Sequence, residues 1–423
     1  MAIVLRTLYL PRMAKILISG ASIAGPTLAY WLRKAGHDVT VVERAPAIRG
    51  GGYAIDVRGA ALTVARRMGI LEQLRHEATD TASTSFLDHK GRRLATFDRG
   101  FGVLRPEDVE IMRGDLARIL YELTRDDVSY VFDDSITVID QDPRGVQVGF
   151  ARRPDARFDL VIGADGQHSN VRTLAFPTDD SALPVVRPLG SAIAIFTARN
   201  HPQLERAQLI MMAPGRVASV KSDRGNATVK VTLMFKSPPL DRHDPEVLRR
   251  AAADAFAAIG GPMPALLEDL WQAPDFYFDM TGQVRMARWY RGRVAVVGDA
   301  ACGPSPMTGQ GTSLAMTGAY LLAQAIGDAS DLEAGLAAYD QRMRGFAVDN
   351  QDVAAKVAQG FAPTTAFGAW FRNLNIRLLP YLPWRNLVLK LTMRDIERAA
   401  NVDVLGAPAL RGDTRPAELA PGK

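Results

Sequence analysis

The sequence predicts an α/β protein in which a parallel, helix-flanked sheet carries an inserted antiparallel sheet and is closed by C-terminal helices. Three observations predict it. A short apolar strand, Lys15 to Ser19, runs into a glycine turn, a helix and a second apolar strand ending on Glu43. These elements follow one another within roughly thirty residues, the span of a βαβ unit that grips a dinucleotide, so the first part is Rossmann-type. Between Val185 and Pro239, β-branched runs (IAIFTA, QLIMMA, RVASVK, ATVKVTLMF) alternate with turn residues, as in an antiparallel sheet. After Gly311 the patterning is mostly helical to residue 400.

The elements follow in order. Pro26 to Ala35 is rich in Ala and Leu, with proline in its first turn and Gly36 behind it, so it reads as a helix. Gly50-Gly51-Gly52 bends the chain before the strand YAIDV. Ala60 to Leu74 is helical with a break near Gly69, and Thr84 to Phe97 alternates like two strands joined at Lys90-Gly91. Arg113 to Thr124 places Leu116, Ile119, Leu120 and Leu123 on one helical face. Strand-like runs at 128–138 and 146–150 precede the apolar run 158–163. Pro245 to Ile259 is a helix, and Gly292 to Val297 a buried strand that ends in Gly298-Asp299.

Length and composition narrow the function. At 423 residues the chain exceeds what one hydrophobic core usually organises, and two joined domains are expected. The formal net charge of +5 favours anionic ligands, yet the arginines are scattered, with no basic tract and no nucleic-acid motif. Nucleic acid is therefore not an expected partner. With Cys302 as the single cysteine, no intrachain disulfide can form, and the six histidines never fall at metal-ligand spacing, so no metal is expected. No apolar run is long enough to span a bilayer, and the first fifteen residues lack the pattern of a secretory signal. Met13 reads as a natural start, and the expected location is cytoplasmic. The aromatic stretch from Phe361 to Leu391 suggests either contact with a membrane surface or packing across both domains; the interrupting prolines 380 and 383 favour packing.

Three motifs carry chemistry. The first, Gly20-Ala21-Ser22-Ile23-Ala24-Gly25, places Ser22 where a dinucleotide turn usually has its middle glycine. Serine costs close approach but offers a hydroxyl, and the following helix turns free N–H groups toward a phosphate. Glu43 stands where an acid holds ribose hydroxyls. The second, Gly163-Ala164-Asp165-Gly166-Gln167-His168-Ser169-Asn170-Val171-Arg172, ends a strand in a carboxylate at the sheet's ligand edge. The third runs from Gly292 through Gly298-Asp299-Ala300-Ala301 to Pro304, Pro306 and Gly309-Gln310-Gly311, handing an acid and a glycine turn to the start of a long helix.

In this order and at these separations the three motifs resemble the single-component FAD-dependent aromatic hydroxylases, the fold of para-hydroxybenzoate hydroxylase, from Lys15 to about residue 400. The resemblance implies FAD-binding segments at 13–84, 111–180 and 281–345, and substrate-sheet segments at 85–110 and 181–280. It also implies a helical region at 346–405 and a flexible tail at 406–423. It assigns Gly20, Ser22, Ile23, Ala24, Gly25, Glu43 and Arg44 to the ADP half of FAD, and Arg113 to its ribityl-pyrophosphate. Asp165 and Gly166 serve FAD and NAD(P)H; Gly298 and Asp299 bind the ribityl chain; Pro306, Gly309, Gly311 and Thr312 lie against the flavin. The sequence departs from the family's habit at Cys302, at Thr312-Ser313 and near Gly318, which bears on the fine positioning of the ring.

The ASIAGP variant, the Glu-Arg-Ala after the second strand and the long helical C-terminus are similar to antibiotic-tailoring and tetracycline-inactivating monooxygenases. The implied reaction takes electrons from NADPH or NADH, activates O₂ as a flavin C4a-hydroperoxide and inserts one oxygen into a polycyclic aromatic, phenolic or polyketide-like small molecule. Phe196, Met212 and Met234, with Met211 and Phe235, suit a large ring system, and Arg216 is a candidate anchor for an enolate or phenolate. No catalytic base is nominated. A flavin reductase without oxygen transfer and an FAD-retaining sequestering protein are the alternatives; a flavin halogenase is set aside because the five tryptophans include no W-x-W-x-I-P pair. Substrate identity, hydroxylation against Baeyer-Villiger insertion, NADH against NADPH, and oligomeric state stay open.

Overall fold

Five parallel strands form the centre of the first sheet, in the order Val294–Val296, Leu160–Gly163, Lys15–Ser19, Asp38–Glu43 and Ser129–Phe132. A short sixth strand, Tyr290–Arg291, pairs antiparallel at one edge. Strands of this kind are buried on both faces, which is why they read as continuous apolar runs. The computed structural model describes residues 10, 13–98, 105–176, 185–241, 243–329, 331–360, 362–400 and 404–405. The expected tail at 406–423 and Phe361 lie outside them.

Helices cover this sheet. The opening helix, Ala24–Lys34, buries Leu28, Trp31 and Leu32. It packs on the helix Gly311–Asp328, which is buried along nearly all its length, from Thr312 to Ile326. An apolar helix without a polar face belongs inside. Trp31 meets Tyr320 edge-to-face at 4.9 Å, and Arg67 donates to the Tyr320 hydroxyl at 2.6 Å. The expected break near Gly69 is present: one helix ends at Arg67, the next starts at Leu71, and Gly69 has φ +78°.

The second large sheet has seven strands, in the order Tyr277–Val284, Val186–Arg199, Thr228–Lys236, Arg216–Ser222, Ala207–Ala213, Ser83–Leu87 and Arg93–Asp98. All neighbours are antiparallel except Ala207–Ala213 against Ser83–Leu87, which run parallel. That one parallel pairing modifies the expected antiparallel sheet: the early hairpin joins beside a strand over a hundred positions away, a non-local partnership that alternation alone does not encode. Val109–Met112 leaves this sheet altogether and pairs with Ala54–Val57.

Alternation splits the seven-stranded sheet into two faces. On one, Ala192, Ala194, Phe196, Met211, Ala218, Val220, Val229, Val231, Leu233 and Phe235 form a second core under the helices Pro245–Phe256 and Met263–Gln272. The other face presents Ile193, Ile195, Thr197, Gln208, Ile210, Met212, Ser219, Lys221, Lys230, Thr232 and Met234. The C-terminal chain departs from expectation. Of its apolar residues, Leu379 is buried, but Trp370, Phe371, Leu378, Tyr381, Trp384 and Leu387 are exposed, so packing across both domains does not account for them.

Candidate active site

The first strand delivers the chain into the turn at Gly20, whose φ of +108° and close approach both demand glycine. A Cβ there would stand 2.6 Å from the Ala164 carbonyl oxygen. At Gly25 a Cβ would lie 1.9 Å from the Gly20 carbonyl oxygen, so only glycine lets the helix seat against the turn. Ile23 and Ala24 are buried at the start of that helix. Glu43, at the end of the second strand, accepts hydrogen bonds from the Ala21 and Ala45 amides, each at 2.9 Å, which hold its carboxylate beside the turn. Arg44 is exposed.

Ser22 has a partner of its own. Arg113 Nη2 donates to Ser22 Oγ at 2.7 Å, drawing the helix start at 113 to the glycine turn. The bend at 50–52 seals this corner. Gly51 accepts from the Gly114 amide at 2.9 Å, and a Cβ on Gly114 would meet the Gly51 nitrogen at 2.5 Å. A guanidinium and free helix amides thus face the cleft together, an arrangement suited to a pyrophosphate.

The second and third motifs are fastened to each other. Asp165 accepts from Ser169 Oγ at 2.5 Å and from the amides of Asn170 and Val171 at 2.9 and 3.1 Å, while Ser169 caps the same short helix by accepting from the Arg172 amide. Arg172 then donates to the carbonyls of Gln167 at 2.6 Å and Ala300 at 2.9 Å. In the third motif Gly298 has φ +63°, and a Cβ on it would come 3.1 Å from Ala24 Cβ. Asp299 opens to the cleft though protein crowds round it. That crowding raises its pKa and the Arg113 charge opposes the rise, while water reaching the cleft softens both. Gly166, at φ +81°, has open space where a side chain would be.

Pro306 begins a single 3₁₀ turn that ends in Gly309 at φ +67° and leads into the long helix at Gly311, with Thr312 buried in its first turn. Ser313, one of the departures from the family's habit, hydrogen-bonds the amide and the carbonyl of Arg58, each at 3.3 Å, and so ties the helix to the strand Ala54–Val57. Cys302 is buried, and burial raises its thiol pKa strongly, so it is packing rather than a nucleophile.

Sequence reasoning missed a charged cluster beside this loop. Asp56 pairs with Arg58, and a Cβ on Gly309 would meet Asp56 Oδ2 at 2.8 Å. Arg58 lies 3.9 Å from Asp108, and Lys221, on the open face of the seven-stranded sheet, pairs with Glu110. Burial raises the Asp56 pKa to about 6; Arg58 opposes this, and Glu110 and Asp108 add to it. The signal was an Asp inside an otherwise apolar strand and an Arg directly after it, with glycines on either side.

Polar links aim the open face of the sheet at the cofactor half. His168 Nε2 lies 3.1 Å from Asp279 Oδ1, Gln167 reaches the Met280 carbonyl at 3.4 Å, and Gly51 sits against the Lys230–Asp275 pair. Met212 and Met234 lie on this face. Phe196 does not: it is fully buried in the opposite core, because alternation turns it toward the helices. The same holds for Met211 and Phe235. Arg216 also leaves the expected role, since its guanidinium is bonded to the Ala255 and Pro214 carbonyls.

A strand-end carboxylate, a glycine turn closed by a helix, and a second acid beside a glycine elbow define a dinucleotide-binding flavoprotein. Gly166 leaves open space where a side chain would be, and Ser305, Thr308 and Gln310 carry buried side-chain atoms without hydrogen-bond partners, so the residues fit FAD. The family described as FAD binding domain matches residues 13–354. A flavin-dependent monooxygenase from an unidentified prokaryote is 38% identical over 374 residues, covering 86% of this chain and 95% of that one. An uncharacterised protein of Mycobacterium tuberculosis is 42% identical over 359 residues, 83% of this chain and 95% of its own. The crystal structure of tetracycline destructase Tet(55) superposes with a TM-score of 0.78 at 36% identity, covering 87% of this chain and 97% of that one. The chain belongs to the FAD-dependent monooxygenases of the aromatic-hydroxylase type.

Proposed function

We propose that this monooxygenase takes electrons from NADPH or NADH and inserts one oxygen atom from O₂ into a flat, oxygenated polycyclic substrate of the polyketide kind, with tetracycline-type antibiotics as the first candidates. The observation that carries this reading is the open sheet face. Its partly exposed positions interleave Ile210, Met212 and Met234 with Thr197, Gln208, Ser219 and Lys230, an apolar platform studded with hydrogen-bonding groups. The likeness to tetracycline destructase Tet(55) supports the substrate class.

FAD, when bound, supplies electron transfer and dioxygen activation. The chain's own residues supply placement. Glu43, Ser22 and Arg113 hold the nucleotide end; Asp299 and the 306–311 turn position the ring end; and Lys230, held between Thr197 Oγ1 at 2.5 Å and Asp275 at 2.9 Å, offers an ammonium group to an enolate or phenolate oxygen. Asp165 and Gly166 border the same cleft from the second motif. Burial raises the Asp56 pKa to about 6, so its carboxylate beside Gly309 can hold a proton in mildly acid solution. The nicotinamide donor fits a cytoplasmic place of action.

The test is to screen polyketide and phenolic compounds for faster NAD(P)H oxidation by the FAD-loaded protein, then to run the best of them under ¹⁸O₂. One labelled oxygen in the product is expected. Oxidation of NAD(P)H with no labelled product from any compound overturns the proposal in favour of a reductase.

A further inference from the structure

The helix Ala366–Leu378 is amphipathic in reverse. Its inward side holds Ala369, Arg372 and Asn373, and Arg372 Nε and Nη2 are shielded from water without a hydrogen-bond partner. Burial alone lowers the pKa of that guanidinium to about 10. Its outward side is apolar: Phe367, Trp370, Phe371 and Leu378 are 72%, 58%, 54% and 47% exposed, and they fall on one stripe at helical spacing. Phe367 lies 5.8 Å from Trp370 and 6.5 Å from Phe371, centroid to centroid, so the patch is continuous. Tyr381, Trp384, Leu387 and Leu391 extend it along the next turn and helix, all more than half exposed. Isolated surface hydrophobes need no explanation, but eight large exposed ones between 367 and 391 do.

The charges beside it have one sign. From 357 to 394 the sequence holds Arg372, Arg377, Arg385, Lys390 and Arg394 and no Asp or Glu. Arg377, Arg385 and Arg394 are exposed and have no carboxylate partner among the described residues. A second copy of the chain meeting this face about a twofold axis would set cation against cation. Exposed tryptophan, tyrosine and phenylalanine with Arg377, Arg385 and Arg394 among them suit the headgroup layer of an anionic bilayer instead, where aromatic rings lodge and cations meet phosphate.

We propose that the segment 366–394 docks the protein peripherally onto an anionic lipid surface. Among the described residues no helix is long and apolar enough to cross a membrane, so the contact is one of lying on the surface, not of spanning it. The outward stripe would enter the interface while the arginines engage lipid phosphates.

Flotation of the full-length, FAD-loaded protein with vesicles tests this. Vesicles of phosphatidylcholine with about a third phosphatidylglycerol should retain it at least about tenfold better than phosphatidylcholine alone, and added salt should weaken the retention. Trp370→Ser combined with Trp384→Ser should lose the retention with flavin content unchanged, since both side chains are exposed. Arg377→Glu with Arg385→Glu should remove the preference for phosphatidylglycerol. The proposal is overturned if the anionic vesicles fail to retain the protein or if the tryptophan variant floats as well as the parent. It is overturned too if sedimentation shows a dimer that this variant disperses while vesicles bind neither protein, which assigns the face to a second copy.

Discussion

The cofactor half meets the cleft with backbone, and the seven-stranded sheet meets it with side chains. At Gly20, Gly25 and Gly309 the missing Cβ is what admits a neighbour, which a Cβ would meet at 1.9 to 2.8 Å, and at Gly298 it would press on Ala24 at 3.1 Å. On the sheet, every second residue faces the cleft and every other one faces a separate core, so the same strand carries both recognition and stability. The first arrangement tolerates almost no change. The second allows its two faces to be varied independently.

The largest expected effect tests the rigid side. Gly25→Val forces a branched side chain into the Gly20 carbonyl, and the purified variant should carry no flavin and bind none on titration; a yellow variant would show that helix and turn can part. Next, the two faces of the sheet can be set against each other. Phe196→Ala should lower unfolding stability by about 3–5 kcal/mol and leave substrate KM unchanged in the protein that remains folded. Met234→Ala should do the reverse, with a small stability change and a raised KM for the accepted polycycle. If the two variants behave alike, the division into faces is wrong.

A smaller effect is expected at Arg113→Ala, which removes the hydrogen bond to Ser22 and the cation proposed to face the pyrophosphate. FAD affinity should fall about tenfold to a hundredfold, with the fold retained, as judged by titration of the apoprotein. The smallest concerns Asp56. Its pKa is 3.8 when unperturbed and about 6 when folded, so between these values the folded state binds more protons than the unfolded chain. Stability of the apoprotein should therefore decline as pH rises from about 4 to about 6, and Asp56→Asn should flatten that slope in urea melts. An unchanged slope would place the titration elsewhere.

Much of the cofactor half was legible because its determinants are local. A glycine at a positive φ, an acid at a strand end and a proline in a first turn each act within a few residues, and the helix Arg113–Thr124 begins and ends where its pattern says. Phe196 and Arg216 were misread for a different reason. Hydrophobic size marks a residue as buried but does not say against what, and only the three-dimensional stacking of helices on one face decides which parity looks into the cleft. The Asp56, Arg58, Asp108, Glu110 and Lys221 cluster draws its members from three separate segments, so only its Asp56–Arg58 part left a local signal. The helix Met263–Gln272 and the strand Tyr277–Val284 lay in a stretch whose pattern drew no assignment.

Val186 and Val284 stand opposite each other in the ladder, although almost a hundred residues separate them along the chain. The excursion that builds most of the seven-stranded sheet therefore leaves and re-enters at a single doorway. A cassette with adjoining ends can be exchanged for a relative's version without moving the scaffold that grips the nucleotide. Diversification of what such enzymes oxidise then needs only local replacement, and chimaeras cut at 186 and 284 offer a practical route to new chemistry on an unchanged flavin platform.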